Sequence, residues 1–141
     1  MESQSSANIN SLDIASLTGI RLNYAVWVAL GAPAVSLNFN FVDSWMHSGP
    51  IIDRMLEDGK SYLVKDVPGN GPDTRAQVYV RYCCEKGNVY EHTSDTLLVS
   101  ALRCFVATKL AGKLVMIPQD LVETKPFRDY GNTLMPISTI K

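Results

Sequence analysis

Several things a functional site commonly needs are scarce in this chain, and each scarcity excludes a class of activity. There is no basic cluster: 13 Lys and Arg face 14 Asp and Glu, for a net charge of −1 and a pI near 6.1. Duplex nucleic-acid binders draw much of their affinity from phosphate neutralisation by a basic face, so no duplex partner is expected. No apolar run approaches the roughly 18 residues of a membrane span. The first ten residues, 1–10, are polar and carry nothing like the apolar core of a secretory leader, so no membrane partner is expected either. Soft metal ligands are few: Cys83, Cys84, Cys104, His47 and His92. They show no C-x-x-C or H-x-x-x-H spacing, and no metal or cofactor is expected. So sparse and odd a set of cysteines suits a reduced, cytoplasmic chain better than a disulfide framework.

Catalytic patterns are missing too. The chain has no G-x-S-x-G, no paired carboxylates and no triad at recognisable spacing, so no catalytic residues are expected. The segment PGNGP at 68–72 is rich in glycine but leads into a strand. A phosphate loop needs a helix amino end and a lysine after it, so a hairpin connection is the better reading. A Cys–His pair could form from Cys83 or Cys104 with either histidine, but free cysteines inside a strand or an apolar helix usually act as small hydrophobes.

What remains is the pattern of an α+β domain: a small antiparallel sheet of about four strands packed by two main helices. A mobile polar leader is expected over 1–11, a single domain over 12–122 and a C-terminal arm over 123–141. Residues 18–30, TGIRLNYAVWVAL, read as a helix capped by Thr18 or Ser16 and stopped by Gly31. It carries two apolar stripes. One is Leu22, Ala25, Val26 and Ala29. The other is Ile20, Tyr24 and Trp27, to be covered by a loop, a second helix or a partner subunit. Residues 36–42, SLNFNFV, alternate like a half-buried strand, and 43–50, DSWMHSGP, read as a loop. Residues 51–58 suggest a short helix or irregular turn.

Strands are expected at 61–67, 77–84 and 89–93, the last two joined by Lys86-Gly87-Asn88 as a hairpin. The second main helix is 96–111, capped by Ser94 or Asp95 and closed by Gly112. Pro118 suits the first position of a short helix, PQDLV. The low charge content, 19%, hints at apolar surface covered by another copy, hence a homo-oligomer.

The candidate binding residues cluster in the 43–50 segment. Asp43 and Ser44 can bond backbone groups in a turn. Trp45 offers a large apolar face with one donor, His47 and Ser48 add polar tips, and Gly49-Pro50 fixes the exit. Asp43 capping a turn and Trp45 plugging the core edge is the competing structural reading. Arg103 sits at the edge of an apolar helical arc, where a guanidinium snorkels, pairs with a carboxylate or waits for an anion. Arg81 shares a strand face with Tyr79 and Cys83, where an arginine flanked by an aromatic can hold a phosphate or stack a base.

Four segments in this order and spacing resemble the NinX-like family of tailed-phage accessory proteins: SLTGIRLNYAVWVALG (16–31), SWMHSGPIID (44–53), TLLVSALRCFVATKLAG (96–112) and VMIPQDL (115–121). The most specific part is RCFVATKLAG. Met46-His47-Ser48-Gly49 departs from the family's small polar pair and two glycines, and the segments at 68–76 and after 123 match nothing in the pattern. The matching positions are Gly19, Asp43, Trp45, Gly49, Pro50 and Arg103.

The resemblance implies a small phage or prophage accessory protein of the host cytoplasm with no assigned enzymatic activity. The first functional expectation is therefore a non-catalytic counter-defence protein sequestering a small anionic, nucleotide-like ligand, such as a cyclic nucleotide or an ADP-ribose derivative. Its ligand would be held by Asp43, Trp45, His47, Ser48, Gly49, Pro50, Arg81 and Arg103. The alternative is a protein-interaction module acting on a host or phage factor through the Ile20–Tyr24–Trp27 stripe or the aliphatic tail. A small enzyme stands third.

Overall fold

A computed structural model of the chain describes residues 9–32, 34–36, 41–42, 44–68, 76–112, 114–118 and 134–136. The fold is α+β, with three α-helices and short antiparallel sheets among these residues. Strand β1 (Ile9–Asp13) leads through a 3₁₀ turn (Ile14–Ser16) into α1 (Gly19–Ala29). Then come β2 (Ala34–Ser36), α2 (Trp45–Asp58), β3 (Ser61–Val67), β4 (Gln77–Cys83), β5 (Val89–Ser94), α3 (Leu97–Leu110), β6 (Leu114–Pro118) and β7 (Leu134–Pro136). The sheet is split three ways: β3-β4-β5 is continuous, while β1 pairs with β6 and β2 with β7, all antiparallel.

Helix α3 is the axle of the domain. Residues Leu98 and Ser100–Ala107 are buried all round. One side lies on β4 and β5, the other on α1 and α2. A helix apolar on every side must be covered on every side, and here the sheet and the two other helices supply the cover. Leu22, Val26, Leu102, Val106 and Val80 all reach zero exposure in this core. Both stripes of α1 are largely internal, with Trp27 and Ala29 partly buried. Ile20 and Tyr24 are buried, and the Trp27 ring meets Phe41 edge-on at 5.1 Å. The Ile20–Tyr24–Trp27 face is thus covered within the chain, which corrects its expected use as a docking stripe.

Other boundaries also move. Strand β1 takes in Ile9–Ser11, which fall inside the expected leader, because it completes a ladder with β6. Pro118 closes β6 opposite Ile9, and the rest of the expected PQDLV helix lies outside the described residues. Val115 and Ile117 point inward while Leu114 and Met116 point out, a strand alternation that ends where a proline is tolerated. The cap of α3 is Thr96, whose hydroxyl accepts from Val99 N at 3.1 Å, not Ser94 or Asp95. Ser94 Oγ instead bonds Thr96 O and Ser100 Oγ, each at 2.8 Å. Ala111, not Gly112, takes the left-handed C-terminal conformation (φ 52°). The expected strand at 36–42 is described only at Ser36, Phe41 and Val42. Phe41 and Val42 are consecutive and both buried, at a bend rather than in a strand.

The largest correction concerns 43–50. From Trp45 onward this segment is the first half of a 14-residue helix that runs through Pro50. Ser48, Ile51, Ile52 and Met55 are its buried residues, spaced i, i+3, i+4, i+7 as one helical face requires. Pro50 is the sixth helical residue, so its missing N–H forfeits only the bond to Met46 O, one turn from the helix start. Burial of the Ile51, Ile52 and Met55 side chains, about 1.5–3 kcal/mol each, outweighs the roughly 3 kcal/mol that an interior proline costs.

Candidate functional site

Among the described residues, the predicted binding residues fall in three places: the start of α2, the face of β4 and the core. Trp45 and Met46, at the start of α2, are 52% and 81% exposed, so Trp45 does not plug the core edge. His47 is half-buried one residue further on. Ser48 is fully buried, and its hydroxyl donates to Phe41 O. Nothing lies within 4 Å of a Cβ built on Gly49, so packing does not demand glycine there. Pro50 lines a shallow groove with Arg54, Asp58 and Lys109. Asp43 lies outside the described residues.

The two arginines are elsewhere. Arg81 is on the outer face of β4, as its alternation with Tyr82 predicts. There its Nε is 3.7 Å from Glu91 Oε2, an oxygen that also accepts from the Tyr79 hydroxyl at 2.8 Å. Arg103 is inside, only 6% exposed. Its Nε donates to Leu17 O and its Nη1 to Thr93 O, both at 2.9 Å. The guanidinium thus ties the turn before α1 to the end of β5. Burial lowers its proton affinity, and Asp95 offsets part of that loss.

A cleft of about 440 Å³ opens beside β5, lined chiefly by Asp13, Ala15, Val89–His92, Ala107 and Ala111. Its floor is built by two small residues of the α3 C-terminus, its walls by the 3₁₀ turn and by the edge of β5. No strand pairs with that edge among the described residues. Cys84 N donates to Asn88 O at 2.9 Å, and antiparallel residues alternate between pairs that exchange hydrogen bonds and pairs that do not. With Val80 opposite His92 and Tyr82 opposite Tyr90, the backbone groups of Val89, Glu91 and Thr93 point away from β4. Arg103 takes Thr93 O. The peptide groups of Val89 and Glu91 face the cleft.

Two titratable groups flank this edge. Burial, and then the Arg103 guanidinium, hold the His92 imidazole below its ordinary range, with Asp13 pulling the other way. Cys104 lies behind, its Sγ 3.7 Å from Val80 O and 3.6 Å from Tyr90 O. Burial pushes its thiol up to about 12, which leaves it a protonated core residue and a poor nucleophile. Nothing in the sequence pointed to this cleft, because its walls come from segments some 80 residues apart. The one available signal was the pair of small residues, Ala107 near the end of α3 and Ala111 at its C-cap, a turn apart.

His92 makes a pH prediction. An unfolded imidazole takes its proton near 6.5, and the folded one resists it. Below that pH the unfolded state binds more protons, so the contribution is complete above about pH 6.5 and is lost as the pH falls. Urea unfolding from about pH 8 to 5 should show a stability decline that is smaller in His92→Gln. An equal decline in both proteins would assign the acid sensitivity to other groups.

No known family model matches the chain, and no curated protein matches it.

Proposed function

We propose that the chain is a non-catalytic binding protein whose ligand occupies the β5 cleft. The observation that carries this reading is the open edge of β5: paired peptide donors and acceptors of Val89 and Glu91 line a concave, largely apolar space of ligand size. An exposed N–H and C=O side by side match a planar ligand with its own donor–acceptor edge, such as a nucleobase or an amide. The apolar floor of Ala107 and Ala111 suits the face of such a ring, and Asp13 and His92 offer polar partners for its substituents. Among the described residues, the cleft lining includes no Arg or Lys. The reading therefore favours the uncharged end of a nucleotide-like ligand over its phosphates, a revision of the anionic ligand expected from the sequence. The resemblance to NinX-like proteins supports an accessory role in phage-infected cytoplasm.

Binding to nucleobases, nucleosides, nucleotides and primary amides is to be measured by calorimetry and thermal shift, on the wild type and on Ala15→Trp. Ala15 is exposed on the cleft wall, so the indole fills the cleft without entering the core. At a ligand concentration about a hundredfold above Kd the gain is about 2.7 kcal/mol, a melting shift of roughly 10 °C at this size. Nucleosides should produce it, and Ala15→Trp should abolish it. Binding that is absent across the panel, or unchanged in Ala15→Trp, rejects the cleft as the site.

A second reading, a protein-interaction module, is favoured by one observation: Leu63, Val64 and Val67 of β3 are all exposed.

A further inference from the structure

The sheet β3-β4-β5 has two open edges among the described residues, and they differ in character. The β5 edge faces the cleft, whereas the β3 edge faces outward. Strand β3 is seven residues long, SYLVKDV, and all but Tyr62 are exposed. Leu63 is 49% and Val64 42% exposed, on opposite faces of the strand. Since the even residues of β4 turn their peptide groups to β5, the odd ones turn theirs to β3. Cys83 O, which accepts from Lys60 N at 2.8 Å, follows this rule. In the β3–β4 register Ser61 faces Cys83, Leu63 faces Arg81 and Lys65 faces Tyr79. These are the pairs that exchange hydrogen bonds, and the peptide groups of Tyr62, Val64 and Asp66 point outward with no strand beside them among the described residues. A strand edge with unspent backbone groups and aliphatic side chains on both faces is a template for another strand.

We infer that this edge pairs with the β3 edge of a second copy of the chain, antiparallel, about a two-fold axis at Leu63. Only outward-pointing residues can exchange hydrogen bonds across such an axis, which leaves few registers. With the axis at Leu63, Leu63 faces Leu63 of the second copy and Tyr62 faces Val64. Ser61 then faces Lys65, and Lys60, just before β3 and with its N–H spent on Cys83 O, brings its ammonium beside Asp66. Each pair is compatible: aliphatic on aliphatic, aromatic on β-branched, hydroxyl beside ammonium, and opposite charges at both ends. An axis at Val64 sets Leu63 against Lys65 and leaves Lys60 opposite Pro68. An axis at Lys65 places two ammonium groups directly opposite, which is unfavourable. The charge pattern of this one strand therefore complements itself in a single register. The two sheets join into one of six strands, with the isologous contact that two-fold dimers use.

The interface needs no occupant in the β5 cleft, so it stands or falls apart from the ligand proposal. Sedimentation of the full chain should show a monomer–dimer equilibrium. Lys60→Asp alone should weaken the dimer on the order of tenfold, and adding Asp66→Lys should restore it. Leu63→Lys should yield a monomer. In a Cys83→Ser background, Leu63→Cys should oxidise to a covalent dimer. Directly opposed residues that do not exchange hydrogen bonds have Cα atoms about 4.5 Å apart, within disulfide reach. Lys65→Cys, which faces Ser61 in this register, should not cross-link. The cross-link reads the contact even if Leu63→Lys fails to fold. A wild type that sediments as a monomer at every concentration overturns the inference. So does a dimer indifferent to the charge swap, or cross-linking of Lys65→Cys in place of Leu63→Cys.

Discussion

Arg103→Met should destabilise the protein by about 3–5 kcal/mol, enough to lower its melting temperature by roughly 10–20 °C. The guanidinium is buried and spends two donors on main-chain carbonyls, Leu17 O and Thr93 O. Methionine fills much of the volume but leaves both oxygens without those donors. A buried acceptor stripped of its partner costs about 1–3 kcal/mol. Arg103→Lys should fall between the two, because a single ammonium cannot span both carbonyls as the planar fork does. The residues being joined are Leu17, just before α1, and Thr93, near the end of β5. Loss of the strut should therefore also loosen the β5 wall of the cleft, and hydrogen exchange at Val89–Thr93 should accelerate more than exchange in α1. Chemical denaturation with exchange by mass spectrometry measures both. A variant as stable as the wild type would return the guanidinium to the ligand-holding role that its place in the family-like segment suggests.

Arg103 also marks how far sequence reasoning reaches. Its position beside apolar residues was legible, and so was the short menu of fates for a guanidinium there. Which fate prevailed was not, since both acceptors are main-chain oxygens whose availability depends on where a turn and a strand end. Although the expected side-chain caps were not the ones made, the two main helices and the β4–β5 hairpin were legible because helical and strand periodicities differ and turn residues punctuate them. Helix α2 was not, because Gly49-Pro50 is a strong local break signal. It is overruled by the spacing of Ser48, Ile51, Ile52 and Met55, which matters only once a partner surface exists. β6 was hidden in the same way: Leu114–Pro118 is short, and β1 supplies its pairing from the other end of the chain.

The placement of the 43–50 segment bears on function as well as fold. Trp45 begins a helix, Ser48 is buried in its underside, and Arg103 spends its donors on Leu17 O and Thr93 O. Among the described residues, unpaired backbone groups lie along the two edges of one sheet. Both edges expose peptide groups, but the surroundings of each decide its use. Beside β5, the 3₁₀ turn and the α3 floor leave room for a small molecule and no room for a long strand. Beside β3, nothing described restricts access, and the side chains match a copy of themselves.

Asn23→Ala should cost about 2–4 kcal/mol, and the reason is the way Phe41 is held. Asn23 is fully buried in α1, and its Oδ1 accepts from Phe41 N at 2.7 Å. From the opposite side, the Ser48 hydroxyl of α2 donates to Phe41 O. One residue of main chain is thus gripped at both polar groups by two helices, and its ring packs on Trp27. Alanine at 23 leaves the Phe41 amide buried without that acceptor, a cost of about 1–3 kcal/mol, and opens a small cavity that adds to it. Asn23 Nδ2 has no hydrogen-bond partner among the described residues, so the hydrogen-bond part of the loss comes from the oxygen. Ser48→Ala removes the other grip and should cost about 1–2 kcal/mol. Since both act on the same residue, the two losses should not add. The double variant should fall short of their sum by about 0.5 kcal/mol or more, beyond the additivity error of distant sites. Urea denaturation of the four proteins in the cycle measures this term. Strict additivity would mean that α1 and α2 hold Phe41 independently, and that the start of α2 is anchored by Ile51, Ile52 and Met55 alone.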